Sequence, residues 1–245
     1  MNFVPILLIL LTTLKIHAQS EYTKEKVVFI SPFYELQFPF ADMKADFGVN
    51  SNLGLELSLI NDNNIYLSMS GSFLFGSQVK DTTILDHLMD DNNNIIDKNG
   101  QIAEILLNQR GYNTKLKLGY LYPIIHENSG LLANSSIGFH QHKIHIDVKN
   151  STVPQLGTEN KKMYDQLASG LSVSAFMGYL NISKKSGIHF YAGMEWMRAF
   201  TYNQRSYNHL VGGPIEKMRN DSFLGFKFGW IVPVSKRSTK EFYYF

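Results

Sequence analysis

The segment Leu53-Gly54-Leu55-Glu56-Leu57-Ser58-Leu59 alternates without interruption between an apolar side chain and a small or polar one. The same alternation recurs at 171–177 and 224–230. A side-chain period of two predicts β-strands with two unlike faces. One face carries large apolar side chains and the other carries Gly, Ser, Lys and Glu. The pattern therefore favours a transmembrane β-barrel over a soluble β-sandwich.

Eight strands of this kind are predicted, and the connections between them alternate in length. The predicted strands cover 27–40, 46–60, 65–76, 111–123, 131–147, 164–180, 187–202 and 221–234. The connections are short and turn-rich at 61–64, 124–130 and 181–186, and long at 77–110, 148–163 and 203–220. Short turns at one end and long loops at the other are typical of even-numbered outer-membrane barrels. The sequence therefore predicts an all-β fold, a closed antiparallel eight-stranded transmembrane β-barrel.

The first 18 residues have the features of a secretory signal peptide. The apolar run from Val4 to Leu11 is too short to cross a bilayer as a helix, and Ala18 supplies a small residue before a cleavage point. We therefore expect residues 1–18 to be removed on export and residues 19–234 to form the barrel. The expected location is the outer membrane of a Gram-negative cell.

The composition excludes several classes of function. The chain has no cysteine, which excludes disulfides, thiol catalysis and thiolate metal sites together. The formal net charge of +2 provides no electrostatic basis for binding nucleic acid. The sequence gives no reason to expect a cofactor.

The polar face of the predicted strands places charged side chains inside the barrel. Eight strands enclose a space only wide enough for their own side chains, and buried charges must be paired. The inward carboxylates are Glu35, Glu56 and Glu195, and the inward ammonium groups are Lys115, Lys117 and Lys227. We predict a closed lumen with an ion-pair network, in which Glu35 lies near Lys227 across the strands that close the barrel.

Aromatic residues on the apolar face are predicted at both ends of the strands. Those at the short-turn end are Tyr120, Tyr122, Tyr179 and Trp230, and those toward the long-loop end are Phe75, Tyr112 and Trp196. Two aromatic girdles on either side of an aliphatic band are typical of a protein that crosses two membrane interfaces.

Three histidines lie close together on the fifth predicted strand. His140 and His142 share a face, so two imidazoles could bind one transition-metal ion. The alternative, which we favour at this stage, is a polar strand end with hydrated histidines. His145 falls on the other face unless a bulge intervenes, and the reversed alternation at Ile144 and Ile146 indicates such a bulge.

The predicted loop at 77–110 is longer than closure of a hairpin requires, and large loops on rigid scaffolds commonly carry function. Four apolar residues stand out in a segment that should otherwise be polar: Ile84, Leu85, Leu88 and Met89. Two interpretations remain open for them. They are either contact residues for a partner or residues that pack onto the base of their own loop.

This pattern of strands and loops, over residues 27–234, resembles the small eight-stranded outer-membrane barrels typified by OmpX and the OmpA transmembrane domain. The ending Glu241-Phe242-Tyr243-Tyr244-Phe245 resembles the aromatic C-terminus that such barrels present to their insertion machinery. The polar segment 235–240 separates this ending from the last strand, so residues 235–245 are predicted to form a periplasmic tail. The Asn-rich, cysteine-free composition and the ending Ala18-Gln19 of the signal resemble barrels of the Bacteroidota. The resemblance implies that the partners include the insertion machinery and the lipid and lipopolysaccharide of the outer membrane.

These observations predict a non-enzymatic outer-membrane protein that acts through its long outer loops. Its role would be structural, or that of an accessory subunit in a secretion, uptake or surface-assembly complex. One alternative is a lipid A-modifying enzyme, with candidate residues His209, Ser206 and Glu216, or His142 with Ser151. The other is a small-solute channel of the porin kind, although eight strands leave little room for a pore. We assign no catalytic residues.

Overall fold

Eight long strands account for most of the computed structural model, which describes residues 26–126, 128–182, 188–209 and 211–234. The predicted signal peptide (1–18) and C-terminal tail (235–245) lie outside these residues. The elements are β1 (Val27–Ala41), α1 (Asp42–Asp46), β2 (Asn50–Ile60), β3 (Ile65–Gly76), β4 (Glu104–His126), β5 (Ser129–Lys149), β6 (Ala168–Asn181), β7 (Phe190–Asn203), β8 (Arg219–Trp230) and the two-residue β9 (Val232–Pro233). No helix among the described residues has the length and apolar character needed to cross a membrane.

The strands pair in a ring. Each strand from β1 to β8 is antiparallel to its neighbour in sequence, and β1 pairs with both β2 and β8, which closes the ring. This pairing confirms the predicted eight-stranded antiparallel barrel. Three short connections lie at one end, here called the turn end. The other connections lie at the opposite end, the loop end: the short loop 1 (42–49) and the longer loop 2 (77–103), loop 3 (150–167) and loop 4 (204–218).

Strands β4 and β5 extend further at the loop end than the sequence prediction. β4 begins at Glu104, inside the predicted loop, and pairs with β5 as far as Lys149. The inward side chains Ile105, Leu107 and Val148 of this extension pack against an apolar cluster. Burial of these side chains explains why the hairpin continues beyond the predicted strand ends.

The first residues of two other predicted strands form loops instead. Ala41 adopts a positive φ of 52° and turns the chain into α1, which buries Met43, so β2 starts at Asn50 rather than at residue 46. Gln166 likewise has a φ of 47°, and β6 starts at Ala168 rather than at residue 164. A left-handed residue interrupts the strand geometry in both places.

The interior is layered along the barrel axis. An apolar cluster closes the turn end; it includes Phe29, Ile60, Tyr66, Leu121, Leu132, Leu180 and Ile231. A second apolar cluster, here called the outer cap, closes the loop end; it includes Met43, Phe47, Leu74, Ile84, Leu85, Ile144 and Ile146. Charged and neutral polar side chains fill the space between the two clusters.

The outward face of the barrel is apolar. Its most exposed aliphatic side chains include Leu55, Leu116, Leu118, Leu171 and Met177, which are 59–64 % exposed. Aromatic side chains lie toward both ends of this band, with Tyr120, Tyr122 and Trp230 toward the turn end and Tyr112 toward the loop end, whereas Trp196 lies midway along β7. The predicted aromatic residues are therefore present at the turn end, but the prediction for Trp196 is wrong, because it lies in the middle of its strand.

We predict that Gly225→Ala destabilises the barrel. A Cβ atom at Gly225 would lie 2.1 Å from Oε1 of the buried Glu35, so the carboxylate would have to move. We expect the free energy of unfolding to fall by about 1–3 kcal/mol. Urea unfolding of the refolded protein in detergent, followed by tryptophan fluorescence, measures this loss.

The matched control is Gly71→Ala, since a Cβ atom at Gly71 meets no atom within 4 Å. Equal unfolding midpoints for the two variants would show that the close approach of Glu35 to Gly225 does not contribute to the stability of the barrel.

Candidate functional site

The charged layer of the lumen contains two glutamates and three lysines in one network. Lys117 Nζ lies 2.6 Å from Glu56 Oε2, and Lys227 Nζ lies 3.0 Å from the same oxygen. Lys227 also lies 3.4 Å from Glu195 Oε2, and Lys115 pairs with the other oxygen of Glu195. All five side chains are at least 95 % buried. The predicted ion-pair network thus includes five of the six predicted residues.

Two tyrosines and a phenylalanine complete the network. The hydroxyl groups of Tyr66 and Tyr191 donate to Glu56, the second at 3.2 Å from Oε2. The ammonium of Lys227 lies 3.9 Å from the centroid of the Phe33 ring, a cation–π contact. These residues were not predicted, because no aromatic side chain was placed among the inward groups. Their inward parity on the strands was the available signal.

The predicted proximity of Glu35 and Lys227 does not produce an ion pair. The two residues are register partners on β1 and β8, as predicted. Among the described residues, however, Glu35 forms no ion pair. It accepts a hydrogen bond of 3.1 Å from Asn52 Nδ2, while its Oε1 has no hydrogen-bond partner in the described chain. Glu56 and Glu195 approach Lys227 instead, so the ammonium is already paired with two carboxylates.

His140 and His142 lie above the charged layer, toward the loop end. They are 0 % and 2 % exposed, which contradicts the interpretation of a hydrated strand end. The predicted bulge is also wrong, because β5 keeps a continuous register with β4 through this segment. Ile144 and Ile146 therefore point inward on the same face as the histidines and pack in the outer cap. The reversed alternation marks the point at which the interior becomes apolar.

Each histidine makes one polar contact. His140 Nδ1 contacts Asn113 Oδ1, and His142 Nε2 lies 2.9 Å from Asp221 Oδ2. Asp221 also accepts hydrogen bonds from Thr201 and Arg219. Within the described residues, no group of three or more His, Cys, Asp or Glu side chains could hold a metal ion.

The four apolar residues of loop 2 pack against the barrel. Ile84 and Leu85 are 1 % and 3 % exposed and belong to the outer cap, while Leu88 and Met89 are partly buried against it. The packing interpretation therefore holds for Ile84 and Leu85, while Leu85 and Met89 also contribute to the lining of a surface groove. Burial of these two large aliphatic side chains, Ile84 and Leu85, stabilises the packing of loop 2 in the outer cap by about 3–6 kcal/mol.

A different part of loop 2 presents apolar side chains to solvent. A groove of about 410 Å³ lies between the 83–88 turn and the extension of β4; its lining includes Val79, Met89, Ile95, Ile102, Leu106 and Leu107. Ile102 is 67 % exposed and Leu106 is 41 % exposed. This groove was not predicted, because the residues at the start of β4 were expected to form a loop.

Contacts between three loops hold the top of the barrel together. His87 Nε2 of loop 2 lies 3.2 Å from the Tyr164 hydroxyl of loop 3, and the His87 ring centroid lies 3.9 Å from that of His209 in loop 4. Partial burial, together with the neighbouring His209, lowers the pKa of His87. Asp165 of loop 3 accepts two hydrogen bonds from Arg205 of loop 4, and these bonds raise the pKa of the Arg205 guanidinium.

The candidate residues for lipid A chemistry do not form a catalytic arrangement. His142 is buried against Asp221, while the Ser151 hydroxyl donates to the Lys149 carbonyl at 3.0 Å. His209 stacks near His87 in the loop cluster, and no described hydrogen bond joins it to Ser206 or Glu216. A nucleophile and a base within hydrogen-bond reach are the usual signature of such sites.

No family model matches the sequence, and no curated protein matches it either. The fold is similar to those of solved outer-membrane barrel proteins. Neisserial surface protein A is 7 % identical, with 84 % of this chain and 96 % of that chain covered and a TM-score of 0.45. Ail, the attachment invasion locus protein of Yersinia pestis, is 9 % identical, with 85 % and 99 % covered and a TM-score of 0.42. The N-terminal β-barrel domain of Pseudomonas aeruginosa OprF is 13 % identical, with 84 % and 97 % covered and a TM-score of 0.38.

We predict that Glu56→Gln strongly destabilises the barrel. The substitution removes the only carboxylate that pairs with Lys117 among the described residues, and it leaves the buried ammonium uncompensated. We expect a loss of about 3–5 kcal/mol in the free energy of unfolding. Equilibrium urea unfolding in detergent measures the loss.

The surface pair of Glu159 and Lys162, at 2.7 Å, provides the control. We expect Glu159→Gln to leave the free energy of unfolding unchanged within experimental error, because exposed ion pairs contribute little. A Glu56→Gln variant as stable as the Glu159→Gln variant would contradict a structural role for the network.

Proposed function

We propose that the protein is a non-enzymatic interaction protein that spans the outer membrane as a filled barrel and binds a partner through the groove of loop 2. The observation that carries the proposal is the separation of two exposed apolar surfaces. One encircles the barrel between the aromatic residues, and the other lies beyond it on the extension of β4.

The outward apolar band has the height of a membrane. On β4 it runs from Tyr112 to Tyr120, with Leu116 midway between them. Eight residues of strand rise about 27 Å, or roughly 20 Å along the membrane normal for a strand tilted by about 40°. This value is close to the roughly 25 Å of known outer-membrane barrels. The proposed partners of the band are membrane lipid and lipopolysaccharide, and the insertion machinery would place it there.

We expect Leu116→Arg to prevent stable insertion. A guanidinium at the centre of the band costs about 2–4 kcal/mol of folding free energy in a bilayer. The test is heat-modifiable migration of the protein after refolding into phosphatidylcholine vesicles. Asn108→Arg lies on the same strand and face but outside the band, and it should refold like the wild type. Equal refolding of both variants would overturn the membrane assignment.

The filled interior supports an interaction role over a channel. Apolar side chains close both ends of the lumen, and the ion-pair network occupies the space between them. Opening a pore would require the loss of these buried contacts together. A filled barrel is a rigid scaffold, and its loops are available for recognition.

The groove of loop 2 is the proposed contact surface. Asn108 and Arg110 are outward polar residues that separate Leu106 from Tyr112, so the groove is not continuous with the membrane band. Residue 106 is six residues beyond Tyr112, or about 20 Å further along the strand. An exposed apolar groove at this height suits a large apolar side chain of a partner protein in a larger outer-membrane complex.

We predict that the double variant Ile102→Ser, Leu106→Ser loses its partner while the barrel remains folded. Exposed apolar contacts of this size contribute roughly 2–4 kcal/mol to an interface. The measurement is quantitative mass spectrometry of proteins that co-purify at fixed stoichiometry after mild detergent extraction of the native membrane.

The control is Val211→Ser, which removes another exposed apolar side chain, 64 % exposed, from loop 4. A partner retained by the wild type and the Val211 variant but lost from the double variant supports the proposal. Retention by all three would move the contact away from loop 2.

A further inference from the structure

The outward apolar band contains a groove of about 520 Å³, here called the band groove. Its lining includes three small outward residues on β5 and β6, which are Ala133, Ser135 and Ala175. The larger side chains of Leu118 on β4 and Trp196 on β7 stand on either side, and consecutive register partners lead from one to the other. The volume lies within the roughly 300–1,000 Å³ of small-molecule sites, so the band groove has room for an acyl chain.

Arg198 lies beside the band groove, on the side toward the loop end. It is the next outward residue after Trp196 on β7, about 7 Å further along the strand. Among the described residues Arg198 forms no ion pair. Its Nη2 donates to Asn220 Oδ1 at 3.1 Å, and its guanidinium carbon lies 5.2 Å from the centroid of the Phe200 ring. These two contacts orient the guanidinium on the outward face and leave further N–H donors for a ligand.

The stagger of the strands places Arg198 at the edge of the band. A row of register partners that starts at Tyr120 on β4 returns to β4 at Arg110 after one circuit of the ring, ten residues nearer the loop end. Arg198 lies in the row of Leu116, three of the eight strands further round, and is therefore level with about residue 112 of β4. This is the level of Tyr112, and such aromatic residues mark the height of the lipid headgroups.

A second cationic group lies on the same side of the barrel. Arg110 and Lys143 are outward register partners on β4 and β5, just beyond Tyr112. Lys143 Nζ lies 3.7 Å from Asp165 Oδ2, but Asp165 is bound more closely by Arg205, whose Nε donates to it at 2.8 Å. Among the described residues, the outward faces of β1, β2 and β3 carry no charged side chain. Positive charge near the headgroup level is therefore concentrated on the side that contains the band groove.

We propose that the band groove and Arg198 form a binding site for one molecule of lipid A, the phosphorylated and acylated anchor of lipopolysaccharide. One acyl chain lies in the groove, and a phosphate accepts hydrogen bonds from the Arg198 guanidinium, a group well matched to phosphate. Arg110 and Lys143 bind a second phosphate. Lipid A has two phosphates and a simple phospholipid has one, so the two cationic groups favour lipid A. The proposal rests on the membrane-spanning role proposed above, with the loop end at the cell surface.

The test is native mass spectrometry of the full chain, refolded in detergent and titrated with purified lipid A. We expect the wild type to retain a single lipid A molecule. Arg198→Gln should weaken this binding by at least about tenfold, because it removes hydrogen bonds between charged groups. Ala175→Leu should weaken it as well, since the larger side chain fills the groove from the outward face and leaves the interior unchanged. Lipid A that lacks one phosphate should bind the wild type more weakly than intact lipid A.

The matched control is Lys149→Gln, which removes the same charge from a residue further out that pairs with Asp147 at 3.3 Å. It should bind lipid A like the wild type, and heat-modifiable migration confirms that every variant is folded. Equal binding by the wild type, Arg198→Gln and Ala175→Leu would overturn the site. Phosphatidylglycerol that binds as tightly as lipid A would overturn the assignment to lipid A. A wild type that does not refold into phosphatidylcholine vesicles would overturn the membrane assignment and this proposal with it, whereas an inserted chain without lipid A overturns the site alone.

Discussion

The Glu56 carboxylate is the interaction on which the interior of the barrel depends. It accepts hydrogen bonds from Lys117, Lys227, Tyr66 and Tyr191. These donors come from β4, β8, β3 and β7, and Glu56 itself lies on β2. One carboxylate therefore connects five of the eight strands across the lumen. A buried charge is tolerated only when such donors satisfy it, so the network sets both the packing and the identity of the side chains around it.

The apolar clusters at the two ends of the lumen enclose this charged network. They separate the charged layer from water, and electrostatic interactions are stronger in the low-dielectric interior that results. The same requirement explains the inward position of Ile144 and Ile146. The strand period is unchanged there, but the side chains that close the barrel must be apolar. A reversal of polarity along one face therefore marks a change of layer, whereas the sequence analysis interpreted it as a bulge.

Strand number, order and parity could be predicted from the sequence, because a one-residue slip would move every apolar side chain to the wrong face. This constraint also gave the register of Glu35 opposite Lys227. The contact between their charges could not be predicted. Register fixes the backbone neighbours of a residue, whereas a lysine ammonium at the end of four methylene groups reaches acceptors on several strands. Glu56 and Glu195 become available to Lys227 only when the sheet curves into a ring.

The requirement for an apolar cap also explains why the exposed apolar residues of loop 2 were not the ones predicted. Ile84 and Leu85 were prominent because they interrupt a polar segment, yet that contrast is what burial under a cap requires. Ile102 and Leu106 were not prominent, because they lie near the start of a strand whose extension was predicted as loop. Their groove is built on the paired β4–β5 hairpin and is supported from below by the cap. The groove is already ordered, so a partner that binds there would cause little further loss of conformational entropy. Less of the free energy of contact would then be offset, and the affinity would be higher.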